Sequence, residues 1–285
     1  MRKKSTRAVS IMAWANFETW LRSPRTILMA LFTLAICSIE SSMYGKTFQS
    51  FGHIPHWDEL FFYAFVDGCN MRTTSVLFLI TMSELPRKMA YQYQHLIRTH
   101  RIAWIKAQLL YCFWAVLMMQ LAMAFCMGIF SIPYAASGFG WTEPQLVANG
   151  LLLEEECAIP LAVSTSMSTL AANLLAQIPI FCFRLIMVSV ILLMSLYGQG
   201  VLGVLIYAFI LMANRTILVE AFYGIVLPTH FATLGGIVST FEAHEWFLGT
   251  SQTVLVFITT GGYCIVMSIL YCLMVQRGKK CDLTF

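Results

Sequence analysis

Charge is what this chain has least of. Only 11% of its 285 residues are Asp, Glu, Lys or Arg, where water-soluble domains carry about a quarter, and this excludes an ordinary soluble globule. Catalytic and ligand-binding motifs are missing as well. Nine cysteines are present, but no CxxC pair, so neither a zinc site nor a redox dithiol is supported. There is no GxxxxGK[ST] loop, and glycines in series such as Gly198 and Gly200, Gly235-Gly236 and Gly261-Gly262 lack the lysine that would reach a phosphate. His244-Glu245 lacks the second histidine of an HExxH zinc helix. No GxSxG elbow occurs, and no serine has a histidine base nearby. Catalytic, cofactor-binding and metal-binding residues are accordingly expected to be absent.

A signal-peptide reading fails too. About 25 residues precede the first apolar run, and no small-residue cleavage site follows it. Leu34-Ala35-Ile36-Cys37 is like a lipoprotein box, but the Ile and the depth of the cysteine argue against one. The run is expected to stay as a first spanning helix.

What the chain does have is apolar mass: 59% hydrophobic residues, with 21 Phe and 17 Met. The expected class is an all-α polytopic membrane protein, 1–285 forming a single transmembrane domain. A helix needs roughly 20 apolar residues to cross about 30 Å of hydrocarbon. Segments 107–130 and 253–275 carry no charge at all. Segment 26–44 has Glu40 near its far end, and 60–82 is interrupted by Asp67, Asn70 and Arg72.

The apolar stretch 174–213 would make about 60 Å of helix, twice the hydrocarbon thickness. It is therefore expected to fold back at Tyr197-Gly198-Gln199-Gly200, giving spans 174–196 and 201–213. The latter is short for a full crossing. Six spans result, with a re-entrant or interfacial piece over 217–227 between the fifth and the sixth.

Charge segregation orients them. An even number of spans places both termini on one side, and 14 of the 18 basic residues share that side: six before the first span, five in 83–106 and three after 275. Glu18, Glu84 and Asp282 join them; the remaining carboxylates outside the spans fall on the other side. By the positive-inside rule both termini face the cytoplasm. Ahead of the first span, residues 7–22 set Ile11, Trp14, Ala15, Glu18 and Leu21 at helical intervals. This reads equally as a helix in the interface plane or as a basic, aromatic anchor; Ser23-Pro24 ends it.

The connector 83–106 is longer than a simple reversal requires. Pro86 suits a first helical turn, 88–97 is short and half apolar, and Arg98, Arg101 and Lys106 are expected at headgroup level with Trp104 as an interfacial anchor. A helix-bearing cytoplasmic loop of this length reads as a docking surface.

Ser83, Glu84, Pro86, Arg98, Thr99, Arg101, Trp104 and Gln108 together resemble the pattern S-[DE]-x-P…R-T-x-R-x-x-W…Q. That pattern, the "W..SPR" lead-in to span one and the large outer loop after span three are similar to membrane subunits of ABC-2-type transporters. The nearest likeness is to small permease-like proteins of Gram-positive bacteria. The likeness in topology covers the whole chain, the motif about 27 residues. It implies that 83–106 carries a coupling helix, and that Glu84, Pro86, Arg87, Arg98, Thr99 and Arg101 face a separate ATPase, two copies of which bind ATP and magnesium. It further implies a second permease chain, identical or not, contact with membrane lipid but no nucleic acid, location in a bacterial plasma membrane, and export of a peptide, lipid or drug-like amphiphile. The short fifth span and the charges inside the second depart from the family's pattern. The alternatives are an accessory or sensor protein with the same fold, and a membrane enzyme.

Ionisable residues inside spans are functional candidates by default, since leaving one unpaired in hydrocarbon costs at least about 2.5 kcal/mol. Asp67, Arg72 and Arg184 are the three. Asp67 and Arg184 are at depths that would let them pair, either as a polar gate or as a structural ion pair. His53, His56, Asp58 and Glu59 lie within seven residues, read here as a solvated loop rather than a metal site, and Glu154-Glu155-Glu156 as a solvated acidic patch. Cys69 and Cys157 could both face outward and pair, if their separation in space allows it.

Overall fold

The computed structural model describes residues 2–50, 52–66, 68–86, 101–142, 167–213 and 252–280, and within them the chain is helical. The elements are α1 (Arg2–Leu21), α2 (Pro24–Ser50), α3 (Trp57–Val66), α4 (Gly68–Met82), α5 (Arg101–Ser131) with a 3-10 turn at Ile132–Tyr134, α6 (Thr169–Leu196), α7 (Gly200–Ala213) and α8 (Gln252–Lys280). Extended pairing among the described residues is limited to an isolated bridge between His56 and Ala136.

Among the described residues four helices are long and apolar enough to cross a membrane: Pro24–Ser50, Ile102–Tyr134, Thr169–Leu196 and Val254–Gly278. Thr73–Met82 and Gly200–Leu211 are apolar but shorter. The helices run past the apolar segments read from the sequence: α2 continues to Ser50, α5 starts some five residues before 107, and α6 begins at Thr169. The last of these extensions takes in Thr169 and Asn173, polar residues that a hydropathy average discounts and the fold buries.

Local chemistry sets the breaks. Pro24 opens α2, where its missing N–H would have had no partner anyway, and the Ser23 Oγ accepts from the Thr26 N–H at 3.3 Å, a side-chain N-cap. Ser168 caps α6 in the same way through the Ala171 N–H at 3.4 Å. The α6–α7 reversal is made by Gly198, whose φ of 77° suits a residue without Cβ. The Gly198 N–H donates to the Ser195 carbonyl at 3.0 Å and the Gln199 N–H to that of Met194 at 2.9 Å, closing the helix end. A Cβ on Gly203 would lie 2.9 Å from the Ile191 Cα, so α7 folds back directly onto α6.

α6 is the hub, touching α3, α4, α5, α7 and α8. Of its most apolar window 61% is buried, against 28% for α2 and 17% for α8, which lie at the rim and show Ile, Leu and Phe outward. α1 packs along α5. The face it buries is Ala13, Asn16, Phe17 and Trp20, while Ile11, Trp14 and Leu21 are exposed. The packing stripe is therefore rotated away from the one the spacing suggests. Phe17 stacks at 5.8 Å on Trp20 and meets Trp114 edge-on at 6.0 Å, so aromatic shape complementarity chose the face.

Candidate functional site

Two polar assemblies occupy the core and one end of the bundle, and the ends of the 83–106 connector are fixed at the other. The first is centred on Arg184, midway along α6 and wholly buried. Its Nη2 donates to Thr74 Oγ1 at 2.8 Å and its Nη1 to Gln120 Oε1 at 2.8 Å. Nε reaches Ser75 Oγ at 3.3 Å and Nη1 also faces the Met123 sulfur at 3.3 Å. α4, α5 and α6 are thus joined through one guanidinium. All four acceptors are neutral, and no carboxylate among the described residues pairs with it. From α7, the fully buried Tyr207 lies beside Ser75 and Arg184, its hydroxyl completing no hydrogen bond of proper geometry among the described residues.

The network continues outward. Gln120 Nε2 donates to Gln177 Oε1 at 2.5 Å, and Gln177 is only half-buried. At 100° per residue, Thr169, Asn173, Gln177 and Arg184 fall within about 80° of one another around α6, a polar stripe on an otherwise apolar helix. Pro179 lies inside this stretch and cannot donate to the carbonyl four residues back.

The stripe ends in the second assembly, an acidic cap. Asp58 and Glu59, at the start of α3, are both buried, which overturns the solvated-loop reading. The Gly140 N–H donates to the Asp58 carboxylate, 3.2 Å from each oxygen, and the Thr169 hydroxyl donates to its Oδ2. Asn173 Nδ2 donates to the Asp58 carbonyl at 2.8 Å. Glu59 Oε2 accepts from the Thr142 N–H at 3.0 Å and from the Thr142 hydroxyl. Burial pushes the Glu59 carboxyl up from its ordinary range, and the Thr142 bonds pull the other way. Glu59 Oε1, His56 Nδ1 and Asn173 Oδ1 are buried without a partner among the described residues. Trp57 and Trp141 tie the cap together, their indole N–H groups donating to the carbonyls of Gly128 at 2.8 Å and Met167 at 2.9 Å.

At the opposite end, the connector after α4 is held where it leaves and where it returns. Leaving, Glu84 pairs with Arg25 at 2.8 Å, and the Leu85 carbonyl accepts from Ser195 Oγ at 2.8 Å. Returning, Trp104 and Ile105 are buried against Leu192, Leu193, Leu196 and Met274. Trp104 is therefore a core residue, not the headgroup anchor its basic neighbours suggest. Gly278 lets α8 approach so closely that a Cβ there would sit 2.1 Å from Ile105 Cδ1. The Arg277 guanidinium lies 4.6 Å from the centroid of the Tyr197 ring, pinning the end of α8 to the α6–α7 turn.

No family model, curated protein or solved structure matches this chain.

Of the sequence candidates, Glu84 and Pro86 stand where α4 ends, Glu84 exposed and ion-paired and Pro86 half-buried. Pro86 follows the helix end rather than opening a described helix. Arg87, Arg98, Thr99, Asp67, Cys157, the 154–156 carboxylates and the 217–227 piece lie outside the described residues. Arg101 opens α5, and Arg72 and Cys69 belong to α4, their side chains lying outside the described set. Arg184 is brought together with Thr74, Ser75, Gln120 and Tyr207, none of which the sequence reading singled out. The four- and seven-residue spacing of Thr169, Asn173, Gln177 and Arg184 was the available signal. Among the described residues no three His, Cys, Asp or Glu gather as a metal site.

Proposed function

We propose that this chain is the membrane-spanning subunit of a transporter driven by a separate ATPase of the ABC type, moving an amphiphile outward across a bacterial plasma membrane. In this reading it crosses six times, residues 60–82 of α3 and α4 making the second crossing, with both termini in the cytoplasm and a re-entrant piece between the last two crossings. Residues 87–100 would dock on the ATPase, and a second permease chain, identical or not, would complete the pathway. Glu84, Pro86, Arg87, Arg98, Thr99 and Arg101 form the contact.

The observation that carries this reading is the anchoring of the connector. A loop that transmits force has to be fixed to the parts it moves. Here Glu84 is tied to α2, Leu85 to α6, and Trp104 with Ile105 to α6 and α8. Displacement of the segment between these points would be passed to three of the four long apolar helices, and through α6 to Arg184. A connector that merely reversed the chain would need none of these attachments.

Two measurements test it. A single cysteine placed at Gln94 in a cysteine-free background should resist an impermeant thiol reagent in intact cells and react after permeabilisation; labelling from outside would overturn the orientation and the docking role together. Co-purification of an ATP-binding-cassette subunit should be lost when Arg98 and Arg101 are both changed to Glu. Undiminished association after that reversal refutes docking through this loop.

A further inference from the structure

We propose that Arg184 and Tyr207 together form a binding site for the oxyanionic head group of an amphiphile, a phosphate or a carboxylate. The proposal rests on the transporter reading and assigns that transporter's cargo a charge. A guanidinium carries five N–H donors. Arg184 directs them at four acceptors, one of them a thioether sulfur, and Nη2 has two hydrogens for the single Thr74 oxygen. One donor is left over, and the positive charge meets only neutral dipoles among the described residues. A buried cation in that state is a costly arrangement unless an anion completes it.

The second observation is Tyr207. Its hydroxyl is wholly buried, next to the same guanidinium and beside Ser75, and completes no hydrogen bond of proper geometry among the described residues. A buried hydroxyl without a partner costs about 1–3 kcal/mol. One oxyanion placed between the two would accept from the spare Nη2 hydrogen and from the phenol, and it would neutralise the charge. A cationic head group would be repelled by Arg184, and a sugar or other neutral head would leave the charge as it is. The surroundings suit an attached chain: Phe183 and Tyr207 meet edge-on at 6.3 Å, and Met123 offers an adaptable apolar wall. The Gln120–Gln177 pair extends the network to a half-exposed position on α6.

The test is equilibrium binding of radiolabelled dodecyl phosphate and, separately, dodecanoate to the full chain in zwitterionic-lipid nanodiscs, with empty nanodiscs subtracted. Dodecyltrimethylammonium and dodecyl maltoside serve as controls. At least one anionic probe should bind saturably, one per chain, while the controls show no saturable component; which of the two binds names the head group. Arg184→Gln should weaken that binding about tenfold or more, and Tyr207→Phe severalfold, the sizes expected of a charge-assisted and a neutral hydrogen bond. Tyr207→Phe removes one oxygen that completes no well-formed hydrogen bond and should fold normally, so it decides the matter if Arg184→Gln does not fold.

Saturable binding of the trimethylammonium probe with equal affinity, no saturable binding of either anion, or anion binding unchanged by Tyr207→Phe would each overturn the site. So would recovery of the stability lost in Arg184→Gln on adding Asp67→Asn, because that marks an internal ion pair. None of these measurements needs an ATPase, so the anion site and the docking loop stand or fall separately.

Discussion

Truncating Trp104 tests whether the return of the connector is structural cement or a surface anchor. The indole is buried against Leu192, Leu193, Leu196 and Met274 at the meeting point of α5, α6 and α8, and its Nε1 has no hydrogen-bond partner among the described residues. Replacing it by Ala removes a large aromatic from a packed site, which costs about 3–5 kcal/mol in protein cores. Replacing it by Phe loses part of the apolar area but also deletes a buried donor that burial penalises by about 1–3 kcal/mol. These two effects largely cancel. Trp104→Phe should therefore melt close to the wild type, and Trp104→Ala lower by at least about 6 °C, taking about 2 °C per kcal/mol for a chain of this size. The assay is thermal aggregation of the detergent-purified protein followed by size-exclusion chromatography. With an ATPase partner bound, the Ala variant should also lose coupling, retaining ATP hydrolysis but no longer answering to cargo. If Trp104→Ala and Trp104→Phe melt together at the wild-type temperature, the residue sits at the lipid headgroups and the anchoring argument fails.

Other outcomes follow from single contacts. Gly203→Leu should force α7 off the Ile191 backbone, 2.9 Å from the would-be Cβ, and cost about 1–3 kcal/mol or more by overpacking; a wild-type melting curve would refute the tight hairpin. Asp58→Ala should release the Gly140 and Thr169 donors and destabilise by about 3–5 kcal/mol, two charge-assisted bonds lost, whereas Asp58→Asn should lose clearly less; equal losses in the two would show that the carboxylate's acceptors do not hold the cap. Glu59 stands just before the 60–82 span, and burial raises its carboxyl pKa. An acid raised in the folded state favours folding below its unfolded pKa and loses that contribution as pH climbs through the folded value. The wild type should thus weaken from acid toward neutral pH more than Glu59→Gln does, as melting curves across that range would record; parallel curves would exclude this residue. Reversing the Arg25–Glu84 pair, both about half exposed, should change stability by no more than about 1 kcal/mol, so a larger drop in the same assay would mean the pair does more than join two surfaces.

The helices were legible because crossing hydrocarbon imposes a length and a composition that need no partner to be read. The turn at Tyr197–Gln199 was legible for a similar reason: 40 apolar residues exceed any bilayer, and Gly198 marks where a left-handed residue is tolerated. What the sequence concealed was the fate of polar residues. Asp58 and Glu59, flanked by Pro55, His56 and Trp57, look like a wet loop. Only the return of Gly140, Thr142 and Thr169 from more than eighty residues away turns them into a buried cap. Trp104 misled in the opposite sense, since Arg101 and Lys106 beside it suggest water while its own ring faces α6 and α8. On α1 the stripe Ile11, Trp14 and Leu21 stays exposed, and the spacing gave no sign of the second face, Phe17 and Trp20, that packs with Trp114 on α5. Arg184 was identifiable as unusual, but its partners are neutral and come from three other helices, and no spacing rule announces Thr74, Gln120 and Tyr207 as neighbours.

The origin of those partners bears on how the chain is made. The α6–α7 hairpin can bring only Tyr207 to its own arginine; Thr74 and Ser75 come from α4, Gln120 and Met123 from α5. Synthesis runs from the N-terminus, so α4 and α5 leave the ribosome first and can be waiting in the bilayer when α6 emerges. A permuted gene that began at residue 167 would reverse this order and oblige the insertion machinery to shelter a lone guanidinium until its acceptors arrived.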